Sequence, residues 1–268
     1  MSVVITVATT GPIATKADNP HLPTAPEEIA AQVYAAYQAG AAVAHIHVRD
    51  EQQKPTADLK IAQHTMDLIR EKCPILIQMS TGVGLSVSYA DREKLVELRP
   101  RMATLNPCSM SFGEGEFLNP PTGVRRLAAR MRELNVKPEL EIYDTGHLDA
   151  CMRLYDDGLL ALPLQFSIVL GVRGGAAATA DNLVTLVRRL PVGAIWQVIA
   201  IGRPNLELTA IALAMGGNAR AGLEDCLFIR KGVMAENLAL VQRTAALARA
   251  LDLKIADVAE TEKLLQLP

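Results

Sequence analysis

The most chemically loaded stretch of the chain is His45-Ile46-His47. In extended backbone, residues two apart share a face, so both imidazoles point the same way. Ile46 and Val48 suit a face that receives apolar packing, which turns the histidines toward the opposite, interior side. Two imidazoles one strand step apart are ready donors for a transition metal. A carboxylate from elsewhere would complete two histidines and one carboxylate with open positions, the usual catalytic arrangement for zinc. Glu224 is the best candidate for that ligand. The spacing alone also fits a histidine pair hydrogen-bonded within a polar mouth.

Arg220 precedes Glu224 by four residues, an even step on a strand, and Asp225 follows at once. An arginine beside an aspartate holds the carboxylate ionised and oriented, so Asp225 with Arg220 reads as a general base and its positioning partner. A structural salt bridge at a buried strand end is the other reading. Ser80, Thr81, Thr104 and Asn106 offer neutral hydrogen-bonding groups at two further strand ends, Thr104 and Asn106 on a shared face. Beside the histidine pair they suit a small oxo-acid, although each alone is an ordinary turn or cap residue. No nucleophile–histidine–acid grouping stands out.

These residues need a scaffold that gathers strand ends. Short runs rich in Val, Ile and Leu at 3–9, 43–49, 75–81, 102–106, 140–144, 164–170, 195–201 and 219–225 read as strands. Helical spacing follows each, near 26–39, 58–71, 90–98, 122–135, 147–157, 180–190, 206–215 and 235–250. Pro26 with Glu27 and Glu28 is a favourable helix start. Eight strand-then-helix units in about 250 residues predict an α/β fold, a single (β/α)8 TIM barrel, with its active site at the C-terminal ends of the strands. An open doubly wound sheet would normally carry a glycine fingerprint after its first strand, and Thr10-Gly11-Pro12-Ile13-Ala14-Thr15-Lys16 is not one. No linker divides the chain, so one domain over 1–268 is expected. Residues 253–267 are expected to form an extra helix outside the barrel or at an oligomer contact.

Half of the 268 residues are apolar and 21% are charged, which excludes a disordered or collagen-like chain. Lys plus Arg number 27 and Asp plus Glu 29, for a net charge of −2, without the basic surplus of a nucleic-acid binder. Cys73, Cys108, Cys151 and Cys226 are widely spaced, which favours reduced thiols. Residues 1–10 lack a basic leader and read as a buried strand. No stretch reaches the roughly 18 apolar residues of a membrane span. A cytoplasmic protein is expected.

In order and spacing, six motifs resemble those of the β-keto acid cleavage enzymes, over nearly the whole chain. They are TGPIATKADNPHLP (10–23), AHIHVRD (44–50), QMSTG (78–82), LNPCSMSFG (105–113), PELEIYDTGH (138–147) and RAGLED (220–225). The resemblance implies a zinc-dependent barrel that is a homo-oligomer, a tetramer by analogy with the family. The implied reaction turns a β-keto acid and acetyl-CoA into acetoacetate and a new CoA thioester by Claisen and retro-Claisen steps. It implies His45, His47 and Glu224 as zinc ligands and Ser80, Thr81, Thr104 and Asn106 as contacts of the keto acid. Glu141 is implied to orient the site, with Asp225 and Arg220 as the acid/base dyad. Zinc, as a Lewis acid, would polarise the ketone.

One departure from the family pattern stands in the first motif. Ile13 replaces a glutamate that suits a substrate ammonium, so a substrate without a 5-amino group is expected, unless a neighbouring loop supplies the charge. Arg203, just past the seventh predicted strand, is the first candidate for a CoA phosphate, ahead of Lys16 and Arg173. The alternative activity is a CoA-independent, metal-dependent carbon–carbon lyase or aldolase. A zinc amidohydrolase would want more histidines, and no appended module supports a metabolite sensor.

Overall fold

Parallel strands buried on both faces need aliphatic side chains outward and a filled interior, and the eight apolar runs satisfy both. In the computed structural model, which describes residues 2–268, they form one closed parallel barrel. Its strands are β1 (Ile5–Ala8), β2 (Val43–Ile46), β3 (Leu76–Met79), β4 (Met102–Leu105), β5 (Lys137–Ile142), β6 (Gln165–Leu170), β7 (Ile195–Ala200) and β8 (Asn218–Ala221). Each lies beside its neighbours in sequence, and Ala219–Ala221 of β8 pair with Ile5–Val7 of β1 to close the ring. Met1, the first residue of the predicted opening run, lies outside the described residues.

Outward side chains such as Ile5, Ile46, Met79, Leu105, Leu140 and Phe166 bury themselves under the surrounding helices. These are α1 (Pro26–Gln38), α2 (Leu59–Lys72), α3 (Tyr89–Arg92), α4 (Pro121–Leu134), α5 (Thr145–Asp156), α6 (Ala180–Arg189), α7 (Asn205–Ala214) and α8 (Asn237–Ala250). Glu28 reaches back to the start of α1, accepting from the amides of Thr24 and Ala25 at 2.8 and 3.2 Å. That contact fixes the entry from the first loop. The helix predicted over 90–98 divides into α3 and a 3₁₀ stretch, Glu93–Leu98. At the junction Arg92 is buried, its guanidinium stacked between the rings of Tyr89 and Phe117.

The interior is tiered. At the bottom, Val4, Val43, Leu76 and Met102 pack together with Ala256 and Leu265 of the C-terminal segment. Above them lies a polar tier, where barrels normally carry branched aliphatics. Glu139 accepts from Gln165 Nε2 and Ser167 Oγ, both at 2.7 Å, and from Gln197 Nε2 at 3.3 Å. These side chains are buried, and their mutual bonds are what make the tier tolerable. The top tier carries the candidate functional residues.

The C-terminal segment differs from the helix expected over 253–267. Lys254–Ile255 pairs in parallel with Ser2–Val3, and only Val258–Leu264 is helical (α9). It closes the barrel's lower mouth, because the apolar bottom tier would otherwise face water. Lys137 helps to hold it, donating to the Leu265 carbonyl at 2.6 Å and to that of Pro163 at 3.2 Å.

Short antiparallel hairpins, not anticipated from the sequence, rise from the opposite end. They pair Val48–Arg49 with Pro55–Thr56, Met110–Phe112 with Gly115–Phe117, and Phe228–Arg230 with Val233–Met234. They also explain why the predicted strand over 43–49 is cut after Ile46: Val48 and Arg49 leave the barrel to pair locally.

Burial pushes the Lys137 ammonium down to about 8. Unfolded, a lysine titrates near about 10.4, so between these values the unfolded chain binds the extra proton. Stability contributed by this site therefore rises as pH climbs from about 8 toward about 10.4. Chemical denaturation at pH 7.5 and pH 10 should show the wild type gaining stability relative to Lys137→Met. A constant difference between the two proteins would contradict the assignment.

Candidate active site and metal centre

The barrel register sets the histidines. His45, next to last on β2, pairs with Gln78 of β3, and Gln78 Oε1 lies 2.7 Å from His45 Nδ1. An amide oxygen only accepts, so His45 Nδ1 carries a proton, and in the neutral imidazole Nε2 keeps its lone pair. That Nε2 is fully buried, faces Glu224 Oε2 at 3.4 Å, and has no hydrogen-bond partner. His47 Nε2 stands 3.5 Å from Glu224 Oε1. The donor atoms of His45, His47 and Glu224 all lie within 4.8 Å of one another. Ligand atoms about 2 Å from a tetrahedral ion stand roughly 3.3 Å apart, close to both histidine–glutamate separations, and the unpartnered His45 Nε2 and Glu224 Oε2 are what an ion would satisfy. The residues present fit a divalent metal.

Glu224 reaches this point because β8 stops at Ala221. A Cβ on Gly222 would lie 1.9 Å from the Ala8 carbonyl oxygen, so only glycine lets the chain turn across the end of β1. Leu223 then donates to Asn237 Oδ1, whose Nδ2 in turn donates to the Thr9 carbonyl, at 2.8 and 2.9 Å. Gly11 completes the cradle, since a Cβ there would approach Glu224 Cγ to 2.5 Å.

Arg220 organises the remaining charge. Buried to 2% exposure, it donates through Nε and Nη2 to both oxygens of Asp225 at 2.9 and 2.8 Å. Nη2 also reaches Glu224 Oε1 at 2.5 Å, and Nη1 stands 3.9 Å from Glu141 Oε1. Burial alone pushes Glu224 up, but Arg220 and the two imidazoles hold it well below the usual carboxylate range. Burial pushes Asp225 up, Arg220 opposes this and the charge of Glu224 adds to it, leaving the group above its ordinary value. Glu141 is pushed up to about 7 by burial, against the pull of His45 and Arg220. When ionised, three carboxylates around one guanidinium carry two negative charges in excess, which a divalent ion would neutralise.

These groups form the floor of a cavity of about 780 Å³. Its walls are mostly apolar, with Ile13, Leu85, Phe112, Val169, Ile199 and Phe228 among them. Of the four neutral residues predicted to meet a keto acid, Ser80 lines this cavity. Thr81 and Thr104 spend their groups on each other: Thr81 donates to Thr104 through its amide, at 2.9 Å, and through its hydroxyl, at 2.8 Å. Asn106 lies behind the wall and donates to Glu141 Oε2 at 2.9 Å. Arg203 is exposed just beyond Gly202, which lines the mouth. Arg173 lines the mouth but is paired with Glu114 at 3.2 Å, and Lys16 is paired with Glu28 at 2.6 Å.

Sequence reasoning gave no role to Gln78, Gly11, Gly222 or Asn237. The only signal for Gln78 was a polar residue at an interior strand position. The glycines and Asn237 act through contacts between distant segments.

Replacing Gly11 by alanine should displace Glu224 and weaken metal affinity by about 10- to 100-fold, the usual effect of disturbing a ligand's support. Competition with a chromophoric chelator would measure this. Unchanged affinity would remove Glu224 from the ligand set.

Comparison with known proteins accords with this geometry. A family described as beta-keto acid cleavage enzyme matches residues 2–267. The chain is 38% identical to a 3-keto-5-aminohexanoate cleavage enzyme of Fusobacterium nucleatum, over 99% of this chain and 98% of that protein. It is 34% identical to a 3-oxoadipate:acetyl-CoA acetyltransferase of Cupriavidus necator, over 99% and 95% respectively. Among solved structures, a binary complex of ObcA with oxaloacetate superposes with a TM-score of 0.81 at 20% identity, covering 92% of this chain and 68% of that one, a likeness of fold. With the whole chain matched and the barrel in place, the protein belongs to the β-keto acid cleavage enzyme family.

Proposed function

We propose that this enzyme uses zinc to condense a β-keto acid with acetyl-CoA, yielding acetoacetate and the acyl-CoA of the remaining fragment. The observation that carries the reading is the His45–His47–Glu224 cluster beside the Asp225–Arg220 pair on the floor of a cavity. Relatives named for acetyl-CoA-dependent transfer on 3-oxoadipate, 3-dehydrocarnitine and 3,5-dioxohexanoate support the co-substrate. His45, His47 and Glu224 would hold the zinc. Bound there, the ion supplies Lewis acidity toward the ketone and carboxylate oxygens of the keto acid.

The protein's own groups handle the proton. Asp225, raised by burial and aimed by two bonds from Arg220, takes a proton from C2. The C2 carbanion equivalent attacks the acetyl carbonyl of acetyl-CoA, a carbon–carbon bond forms, and CoA leaves as the thiolate. The thiolate then adds to C3, the C2–C3 bond breaks, and Asp225 returns its proton to C2 of acetoacetate. Ser80, which lines the cavity, is our candidate among the neutral residues for touching the substrate. Asn106 steadies Glu141, while Thr81 and Thr104 stiffen the wall behind. Arg203 is our candidate for a CoA phosphate.

The tail of the substrate meets Ile13 and aliphatic or aromatic neighbours, so the reading includes a keto acid without the 5-amino group. Ile13 offers an ammonium tail no partner, and the acidic residue that a neighbouring loop brings to the cavity, Glu114, is paired with Arg173 at 3.2 Å. Exposed Phe228, Val233 and Met234 on the hairpin at the mouth support a homo-oligomer, and we place the enzyme in the cytoplasm. No helix among the described residues is long and apolar enough to cross a membrane.

Purified protein incubated with acetyl-CoA and β-keto acids of charged, neutral and apolar tail should form acetoacetate and the new acyl-CoA. Activity should vanish on chelation and return with zinc, and apolar tails should be preferred. Cleavage that proceeds without acetyl-CoA would instead support the metal-dependent lyase or aldolase. Asp225→Asn should lower kcat by about 10²- to 10⁴-fold, the range for losing a general base, while retaining bound metal. Ile13→Glu should shift preference toward the 5-amino acid, and no gain there would count against Ile13 as a tail contact.

A further inference from the structure

Arg49 is buried, at 4% exposure, and no carboxylate is paired with it among the described residues. Its guanidinium instead gathers backbone carbonyls from two loops. Nη2 donates to the carbonyl of Gly11 and to that of Ala14, the latter at 2.7 Å, and Nη1 donates to that of Gln53 at 3.0 Å. The acceptor turn is built for this. Asp50 Oδ1 accepts from the amides of Gln52 and Lys54, each at 2.9 Å, and Gln53 adopts φ +62°, a conformation a non-glycine residue holds only when its surroundings require it. On the third side stands Gly84, at φ +142°, where a Cβ would come within 3.3 Å of Pro55 and 3.4 Å of Pro12.

The clamped segment touches both halves of the site. Gly11 lies against Glu224, while Pro12, Ile13 and Ala14 line the cavity wall. Arg49 itself follows His47 by two residues on the chain that leaves β2. A single buried cation thus ties the strand of the histidines to the loop that faces the substrate tail. Neutral side chains would not hold three carbonyls at one point, and charge-assisted bonds are about twice as strong as neutral ones.

We propose that Arg49 is a specificity-determining positioning residue, which fixes residues 11–14 as the wall that reads the substrate tail. This rests on the reaction proposed above only for its activity readout. The clamp itself has an independent one. Amides of Thr15, Asp18 and Asn19 are hydrogen-bonded in the turn where the clamped loop ends. In Arg49→Lys, which keeps the charge but not the fork geometry, their hydrogen exchange should speed up at least tenfold, with exchange in the barrel strands unaltered. Equal exchange in both proteins overturns the proposal, whatever reaction is catalysed.

For specificity, kcat and KM are measured with 3-oxopentanoate and with 5-methyl-3-oxohexanoate, whose products are propionyl-CoA and the branched five-carbon acyl-CoA. The preference of the wild type for the longer acid should be about threefold or more for each added methylene, from burial of apolar surface. Arg49→Lys should lower the ratio of the two kcat/KM values at least fivefold, chiefly through KM of the longer acid. In a double-mutant cycle with Ile13→Ala, the two losses should be strongly non-additive, because both act on the same wall. Additive losses, or an equal loss on both acids, would make Arg49 a structural residue only. Wild type without turnover on either acid would refute the proposed reaction while leaving the exchange result to decide the clamp.

Discussion

The site depends on one interaction, the hold of a buried guanidinium on carboxylates that would otherwise repel one another. Arg220 bonds both oxygens of Asp225 and one of Glu224, with Glu141 near by. Removing charges from water is expensive, and such a cluster gives the fold little stability that aliphatic packing would not. What it gives is unequal carboxylates in one small space. Glu224 is kept ionised toward the histidines, while Asp225 and Glu141 are raised, so one group suits a cation and the others suit a proton. With all three carboxylates ionised the cluster carries two excess negative charges, which a divalent ion between His45, His47 and Glu224 would offset.

A cluster of this kind needs walls that do not move and a floor that admits no water from below. The polar tier around Glu139 supplies stiffness through hydrogen bonds rather than through interdigitated aliphatics. Beneath it the apolar tier seals against the C-terminal segment through Leu265 and Ala256. Close backbone approaches finish the job above. Gly222 lets β8 end abruptly, and Gly11 lets the first loop lie directly on Glu224.

Much of this was legible in the sequence because its signals are local. Alternation of apolar runs with helical stretches is a property of single segments, and all eight strands and eight following helices lie close to their predicted positions. The paired spacing of His45 and His47 is likewise local, as is the even step from Arg220 to Glu224. Illegible were features decided between segments. The roles of Glu224 and Asp225 beside Arg220 were legible, but not the early end of the strand at Ala221 that lets both adjacent carboxylates turn toward it. Thr81 and Thr104, which the family resemblance gives as keto-acid contacts, are bonded to each other by the register of β3 against β4, a pairing that no local signal announces. Gln78 acquires meaning only from the register that brings it beside His45.

Barrels are commonly described as rigid strands that carry chemistry and free loops that carry specificity. That division is incomplete here. The first loop contributes Ile13 to the cavity and Gly11 to the support of Glu224, so a change that admits a different tail also presses on a candidate metal ligand. Arg49 makes the coupling physical, since it belongs to the chain that carries the histidines and binds the carbonyls of the loop. Substrate range in this architecture would therefore be constrained by the candidate metal centre: the first loop can vary its side chains, but its backbone must stay where Arg49 and Glu224 need it.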